Sequence, residues 1–124
     1  MPANKPEQVN DCLIEAINNG DVESALAMYE ADAAFVTEDG TATGTDAIRN
    51  VMEAFIALKP NITMVTKEAV QTGDIAVTGG TWSLTGTGPD GEALEMGGRS
   101  VEVVRRQADG TWLFAIDLPN GAEG

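Results

Sequence analysis

Three turn sequences divide the second half of the chain into four segments, each long enough to cross a β-sheet. The turns are Thr72-Gly73-Asp74, Gly88-Pro89-Asp90-Gly91 and Asp109-Gly110. The segments between them are rich in β-branched and aromatic residues, as strands are. They lie near residues 62–70, 74–86, 93–106 and 111–118. Because short turns join antiparallel neighbours, this half of the chain predicts a four-stranded antiparallel meander.

The first half has the periodicity of helices instead. Apolar residues recur every three or four positions from Val9 to Ile17, which predicts a helix over residues 5–18. Asp21 is a suitable N-cap for a second, short helix whose apolar face includes Tyr29. Residues 33–37 are then expected to form a strand.

A third helix is predicted from Thr45 to Lys59-Pro60, since the residue before a proline disfavours helix. The order helix, helix, strand, helix and four strands predicts an α+β fold. A strand lies between the second and third helices, and no linker interrupts the chain. Residues 1–124 are therefore expected to form one domain, which is an ordinary size.

The composition excludes several classes of function. Twenty acidic residues against seven basic ones give a net charge of −13, so neither nucleic acid nor an anionic membrane is an expected partner. The chain has no histidine and one cysteine, Cys12, which excludes His-based nucleophilic triads and His- or Cys-rich metal sites. Glycine-rich phosphate-binding motifs are also missing from the sequence. We expect no metal and no cofactor.

The sequence also bears on location. The first residues contain no apolar signal segment, and no run approaches the length of a membrane span. A single thiol is typical of a reducing compartment. These features predict a cytoplasmic protein.

The positions of the turns predict which residues pair between neighbouring strands. A two-residue type I′ turn at Asp109-Gly110 pairs Gln107 with Trp112, Arg105 with Phe114 and Val103 with Ile116. A loop centred on Pro89-Asp90 places Trp82 opposite Gly97 and Gly80 opposite Arg99. One face of the sheet then collects Trp82, Arg99, Val101, Val103, Phe114 and Ile116. The opposite face collects Glu102, Val104, Leu113, Ala115 and Asp117.

Three stretches of the chain resemble one known group of proteins. They are Ala16-Ile17-Asn18-Asn19-Gly20-Asp21 with Met28 to Ala33, Gly40 to Gly44 with Asp46-Ala47-Ile48-Arg49, and Gly80-Thr81-Trp82 through Asp109-Gly110-Thr111-Trp112 to Asp117. Together with the order of elements, they resemble the nuclear-transport-factor-2-like superfamily. This group includes ketosteroid isomerase and the SnoaL-like polyketide cyclases.

The resemblance implies a cone-shaped, curved antiparallel sheet wrapped around three helices, a pocket inside it and a homodimer. It does not imply a single function, because the group contains isomerases, cyclases, dehydratases and non-catalytic adaptors. The tyrosine that ketosteroid isomerases carry on the first helix corresponds to Leu13 here. Steroid isomerisation by that constellation is therefore not expected.

Three residues are candidates for proton transfer. Glu38 and Asp39 follow the first strand, where a carboxylate at the mouth of an apolar pocket can act as a general base; the alternative is ordinary turn chemistry. Tyr29 is the only tyrosine, and its hydroxyl is either a donor into the pocket or part of the core.

Other residues are candidates for holding a ligand. Arg99 can bind a ligand carboxylate or pair with Glu95 or Glu68 on the surface. Asp117 either faces the pocket or pairs with Arg49 or Arg105. The predicted register places it on the face away from Trp82. The expected apolar walls are Met52, Phe55, Trp82 and Phe114.

Together with the homodimer that the resemblance implies, these candidates predict a protein that binds a small apolar or mildly polar molecule, with cofactor-free isomerisation, cyclisation or dehydration as its catalytic form. The alternative is a non-catalytic binding or dimerisation module. Such a module is expected to expose an apolar sheet patch around Val104, Trp112 and Leu113.

Overall fold

The computed structural model describes residues 2–67 and 69–122, and the described elements form an α+β fold, as predicted. The helices are α1 (Gln8–Asn18), α2 (Val22–Leu26) and α3 (Thr45–Ala57). The strands are β1 (Tyr29–Thr37), β2 (Gly40–Thr43), β3 (Asn61–Thr66), β4 (Val70–Thr72), β5 (Ile75–Thr87), β6 (Ala93–Arg106) and β7 (Trp112–Leu118).

The strands form one curved, unclosed sheet in the order β2-β1-β7-β6-β5-β3, with β4 on the other part of β5. The meander from β3 to β7 is antiparallel, as predicted. The pairing of β1 with β7 is parallel, so the expectation of a wholly antiparallel sheet was wrong. This pairing joins the N-terminal half of the chain to its last strand and completes the surface on which the helices lie.

The helices bury the faces that their periodicity indicates. In α1 the predicted stripe of Val9, Cys12, Leu13, Ala16 and Ile17 is buried. Ile48 and Met52 of α3 are fully buried in the same core. The carboxylate of Asp21 accepts a hydrogen bond of 3.1 Å from the backbone N–H of Ser24, which confirms its predicted capping role at α2.

Three local predictions were wrong. Tyr29 begins β1, because α2 ends at Leu26 and the chain enters the sheet four residues earlier than expected. The residues after Gly40 form the additional strand β2, a hairpin partner of β1. The predicted strand 62–70 is divided into β3 and β4, which both pair with β5.

The turn between β6 and β7 is one residue longer than predicted. The N–H of Gln107 donates to the carbonyl of Thr111 at 2.7 Å, which leaves Ala108, Asp109 and Gly110 in the loop. Only Gly110 of these has a positive φ, 87°, whereas a type I′ turn requires two such residues. The pairs Gln107–Trp112 and Arg105–Phe114 were therefore wrong, because Phe114 pairs with Val104.

A β-bulge then changes the phase of β7. Val104 pairs with Phe114, but the next residue of β6, Val103, pairs with Ile116, so Ala115 is extra on its strand. The predicted Val103–Ile116 pair is thus confirmed. Because side chains alternate along a strand, the extra residue turns Asp117 to the inner face and Ile116 to the outer one.

The predicted register between β5 and β6 was also wrong by one residue. Trp82 pairs with Gly98 instead of Gly97, and Gly80 pairs with Ser100 instead of Arg99. Ser100, Glu102 and Val104 are consequently the buried, inward side of β6. Arg99, Val101 and Val103 lie on its outer side, away from Trp82.

Candidate functional site

A cavity lies between the helices and the inner face of the sheet. The volume that water can occupy inside it is about 60 Å³, and the empty space is about 500 Å³ when the part open to solvent at the mouth is included. Most of the lining is apolar, and the apolar part comes from α1, α3, the strands β1, β3 and β5, and the turn after β7. The apolar lining residues are Leu13, Ile14, Ile17, Phe35, Met52, Phe55, Ile62, Met64, Trp82, Leu84 and Pro119.

Four residues in this lining have polar side chains, and Asp117 is one of them with Asn10, Ser100 and Glu102. The bulge in β7 turns it inward, and its side chain is buried. The hydroxyl of Tyr29, on the neighbouring strand β1, donates a hydrogen bond of 2.6 Å to its Oδ2. The carboxyl is therefore held in one orientation against the apolar wall.

Burial raises the pKa of Asp117 to about 7, because an ionised carboxylate loses its water there. The hydrogen bond from Tyr29 acts against this increase, and the charge of nearby Glu102 adds to it. Burial and the adjacent Asp117 raise the pKa of Tyr29 well above its ordinary value, so Tyr29 stays a hydrogen-bond donor at neutral pH. Asp117 can therefore accept and return a proton near pH 7.

Glu102 lies directly opposite Asp117 on β6 and is 1% exposed. Its Oε1 accepts hydrogen bonds from Asn10 Nδ2 at 2.9 Å and from Thr78 Oγ1 at 2.7 Å. These donors come from α1 and β5, so the carboxyl of Glu102 connects the helix layer to the sheet. The two buried carboxyl groups have different surroundings, with two donors on Glu102 and one on Asp117.

Ser100 is the remaining polar residue on the inner side of β6. It is 3% exposed, and its Oγ has no hydrogen-bond partner within residues 2–67 and 69–122. A buried hydroxyl without a partner is uncommon in native proteins.

Trp82 closes one side of the cavity. Its Nε1 donates a hydrogen bond of 2.8 Å to the carbonyl of Pro119, which ties β5 to the turn after β7. Gly98 lies opposite Trp82, and a Cβ there would come within 3.2 Å of the indole nitrogen and 2.0 Å of Asn120 Oδ1. Glycine at this position keeps room for the indole and the turn.

The structure brings part of the predicted site together. Met52, Phe55, Trp82 and Asp117 line the cavity. The Phe114 ring, fully buried, lies behind it with its centroid 4.9 Å from that of Tyr29. The expectation that Asp117 faces away from Trp82 was wrong, because Trp82 pairs with Gly98 instead of Gly97 and so lies on the same face as Asp117.

Other predicted residues lie elsewhere. Glu38 and Asp39 are exposed on the turn between β1 and β2, and neither lines the cavity. Arg99 is exposed on the outer side of β6, as is Glu95 farther along that strand. Glu68, named as an alternative partner of Arg99, lies outside the described residues.

Sequence reasoning missed the contribution of Asn10, Ser100 and Glu102. Glu102 had a detectable signal, because a carboxylate interrupts the apolar run from Val101 to Val104. Asn10 likewise lies on the buried stripe of α1, three residues before Leu13. Charged and amide side chains on otherwise apolar faces need buried partners, and these two residues are partners of each other.

The described residues contain neither a metal-binding cluster nor a membrane-spanning helix. Within residues 2–67 and 69–122, no cluster of three acidic, cysteine or histidine side chains is placed to hold a metal ion. None of the helices in the same ranges is long and apolar enough to span a membrane.

Comparisons with known proteins agree with the fold. A family model described as SnoaL-like domain matches residues 12–114. No curated protein matches the chain. Similar solved structures include a ketosteroid isomerase-like protein from Erwinia carotovora, with 22% identity, a TM-score of 0.79 and coverage of 90% of this chain and 89% of that one.

Two further structures have the same fold. A nuclear transport factor 2-like superfamily protein from Salmonella enterica has 16% identity and a TM-score of 0.81, over 95% of this chain and 90% of that one. A conserved protein from Planctomyces limnophilus has 20% identity and a TM-score of 0.81, over 90% and 88% of the two chains.

Proposed function

This chain belongs to the family of SnoaL-like domains, and from that premise we propose that it binds a small, mainly apolar molecule in the cavity and moves a proton on it with the Asp117 carboxyl. The observation that carries the proposal is the buried Asp117 carboxyl, oriented by Tyr29 in an apolar wall and with a pKa near neutrality. This combination is what a general base or acid at pH 7 requires.

The reaction follows from that chemistry. The ionised Asp117 takes a proton from a carbon next to a carbonyl group, and the electron pair of the broken C–H bond moves into the carbonyl to give an enolate. The protonated carboxyl then returns the proton to that carbon, and the carbonyl forms again. In a substrate with a β,γ C=C bond, loss of the proton gives a dienolate instead, and return of the proton to its γ-carbon gives the α,β-unsaturated isomer. Both routes only move a proton, so neither needs a cofactor.

This role differs from the sequence-based one, in which Glu38 or Asp39 is the base. Both are exposed at a turn outside the cavity, so they have no apolar surroundings and no ligand site beside them. Tyr29 acts here as a positioning residue, because its hydroxyl donates a hydrogen bond to Asp117. The apolar lining residues surround the ligand, as in the sequence-based hypothesis.

Deuterium exchange tests the proposal. We expect the wild-type protein to accelerate exchange at the α-carbon of neutral cyclic ketones such as 1-tetralone in D₂O, followed by ¹H NMR. Removal of a general base typically costs about 10²- to 10⁴-fold in rate, so Asp117→Asn is expected to lose nearly all of the acceleration. Glu38→Gln is expected to keep it.

The reverse result, with loss in Glu38→Gln and activity in Asp117→Asn, would restore the sequence-based assignment. If the wild-type protein binds the ketones but never accelerates exchange, the non-catalytic binding module is the correct alternative. The surface first expected for a dimerisation module does not support it in that form, since Val104 and Trp112 are buried. The homodimer and the cytoplasmic location stay predictions.

A further inference from the structure

The Ser100 hydroxyl is an exception among the polar groups of the cavity. Asn10 and Glu102 bond to each other, and Asp117 accepts a bond from Tyr29. Ser100 Oγ is buried and has no such partner within residues 2–67 and 69–122. A buried hydroxyl needs a hydrogen-bond partner, so its place in the lining suits a ligand group that bonds to it where the described residues do not.

The position of Ser100 relates it to the proposed base. Ser100 lies two residues before Glu102 on β6, and Glu102 is directly opposite Asp117 on β7. Residues in this diagonal relation on one face of an antiparallel pair are about 7–8 Å apart at the backbone. A ligand atom that touches Asp117 can therefore have its neighbouring oxygen near Ser100.

A movable side chain covers this part of the cavity. Ser100 pairs with Gly80, and the Met64 methyl group lies 2.8 Å from where a Cβ on Gly80 would stand. Met64 is half-buried and lines the cavity. Because methionine is unbranched and flexible, its displacement by a ligand exposes the Gly80–Ser100 pair.

The charges of the lining limit the ligand further. The lining contains the carboxyl groups of Glu102 and Asp117 and, within the described part of the chain, no lysine or arginine. Asp11 and Glu15 line an adjoining surface groove that shares Ile14 and Met64 with the cavity. A carboxylate or phosphate on the ligand would lose its water beside like charges and find no cation.

We infer that Ser100 binds the oxygen of an uncharged carbonyl compound, so that the ligand class is neutral ketones or related carbonyl molecules rather than acids or phosphates. This inference rests on the proposed function and assigns the group that holds the carbonyl while Asp117 acts on the adjacent carbon. Ser100 is then a specificity-determining residue.

Three probes of one shape test the inference: 1-tetralone, the hydrocarbon tetralin, and 1,2,3,4-tetrahydro-1-naphthoate. Each is titrated into ¹⁵N-labelled protein, and the indole N–H signals are followed. Trp82 lines the cavity and reports binding, whereas buried Trp112 does not line it and serves as an internal reference. We expect 1-tetralone to bind more tightly than tetralin, and the naphthoate to leave the Trp82 signal unchanged.

The Ser100→Ala variant isolates the hydroxyl. A net hydrogen bond corresponds to roughly a five- to tenfold change in affinity, so we expect that loss for 1-tetralone and no loss for tetralin. The unliganded variant is expected to melt at the wild-type temperature or above it, because an unpartnered group has been removed. Ser83→Ala, which removes an exposed hydroxyl beside Trp82, is the matched control and should change neither result.

The outcomes separate the two proposals. Equal losses for 1-tetralone and tetralin in Ser100→Ala, or a lower melting temperature without ligand, would overturn the assignment of Ser100 and leave the proposed function standing. Tight binding of the naphthoate would overturn the ligand class. If neither neutral probe moves the Trp82 signal of the wild-type protein, cavity binding fails, and the proposed function and this inference fail with it.

Discussion

Two pairs of acidic residues in this chain have opposite surroundings. Glu38 and Asp39 are exposed on a hairpin turn, whereas Glu102 and Asp117 face each other across two strands inside the fold. Both pairs supply the same functional group. The comparison shows that the environment, and not the residue type or its nearness to a turn, decides which carboxyl groups belong to the candidate site, and in that environment burial raises the pKa of Asp117.

The two pairs also differ in what holds them. The backbone N–H of Asp39 donates to Thr37 Oγ1 at 3.2 Å, which is local turn geometry. Asn10, Thr78 and Tyr29 come from three separate elements to bond the carboxyls of the inner pair. The outer pair is therefore expected to tolerate change, and the inner pair is expected to affect stability. The raised pKa of Asp117 makes its own contribution depend on pH.

The largest expected effect is on the pH dependence of folding. The pKa of Asp117 is raised from 3.8 to about 7 in the folded protein, so the folded state holds this proton more tightly than the unfolded state does. Its stabilising effect is complete below about pH 4 and is lost as the pH rises towards 7. Asp117→Asn cannot ionise, and its free energy of unfolding at pH 8 should exceed that of the wild type by up to about 4 kcal/mol.

Urea denaturation at several pH values measures this difference. The two proteins should converge as the pH falls below 3.8, because Asp117 then becomes protonated in the unfolded state as well as in the folded state. Curves that stay parallel from pH 4 to pH 8 would show that Asp117 is not a buried carboxyl with a raised pKa.

A somewhat smaller effect is expected at the other inner carboxyl. Glu102→Ala removes the acceptor that Asn10 and Thr78 share, which leaves Asn10 only its longer bond of 3.5 Å to Thr66 Oγ1, and it opens a cavity. We expect a loss of about 3 kcal/mol in the free energy of unfolding. Glu38→Ala is the matched exposed control, with an expected change within about 0.5 kcal/mol. Similar urea midpoints for the two variants would show that the buried and the exposed carboxyl contribute equally to stability.

The smallest effect concerns the hydrogen bond between Tyr29 and Asp117. This bond favours the ionised form of the carboxyl, so Tyr29→Phe should raise the pKa of Asp117. The free energy of a hydrogen bond to a charged group corresponds to a displacement of about one pH unit in the titration midpoint. ¹³C NMR of the aspartate carboxyl carbons measures it directly, and an unchanged or lower midpoint would mean that Tyr29 does not donate to Asp117 in solution.

Much of the fold could be predicted from local signals. The helices follow from apolar periodicity, and the strands from Gly- and Asp-containing turns, because both patterns lie within a few consecutive residues. The parallel pairing of β1 with β7 had no such signal. It joins residues about eighty positions apart in the sequence, such as Phe35 and Asp117, and depends on how the whole sheet curves around α1 and α3.

The candidate site was predicted only in part, for a related reason. The resemblance to a known superfamily implied a pocket, and Met52, Phe55 and Trp82 could then be named as its apolar walls. The directions of Arg99 and Asp117 relative to Trp82 depended on register, where an error of one residue reverses the face. That error arose at the loop between β5 and β6, whereas the longer loop after β6 and the bulge in β7 compensate each other beyond Val103.

The single extra residue in β7 has a consequence for how proteins of this fold can diverge. If β7 paired regularly with β6 and kept Ala115 in the ladder, Ala115 would lie opposite Val103, and Ile116 would take the place of Asp117 opposite Glu102. Asp117 would then face outward without any change in its identity, and the cavity would lose the carboxyl that Tyr29 holds. Catalytic and non-catalytic descendants of one ancestor can therefore be separated by a one-residue change in strand pairing rather than by a series of substitutions in the cavity wall.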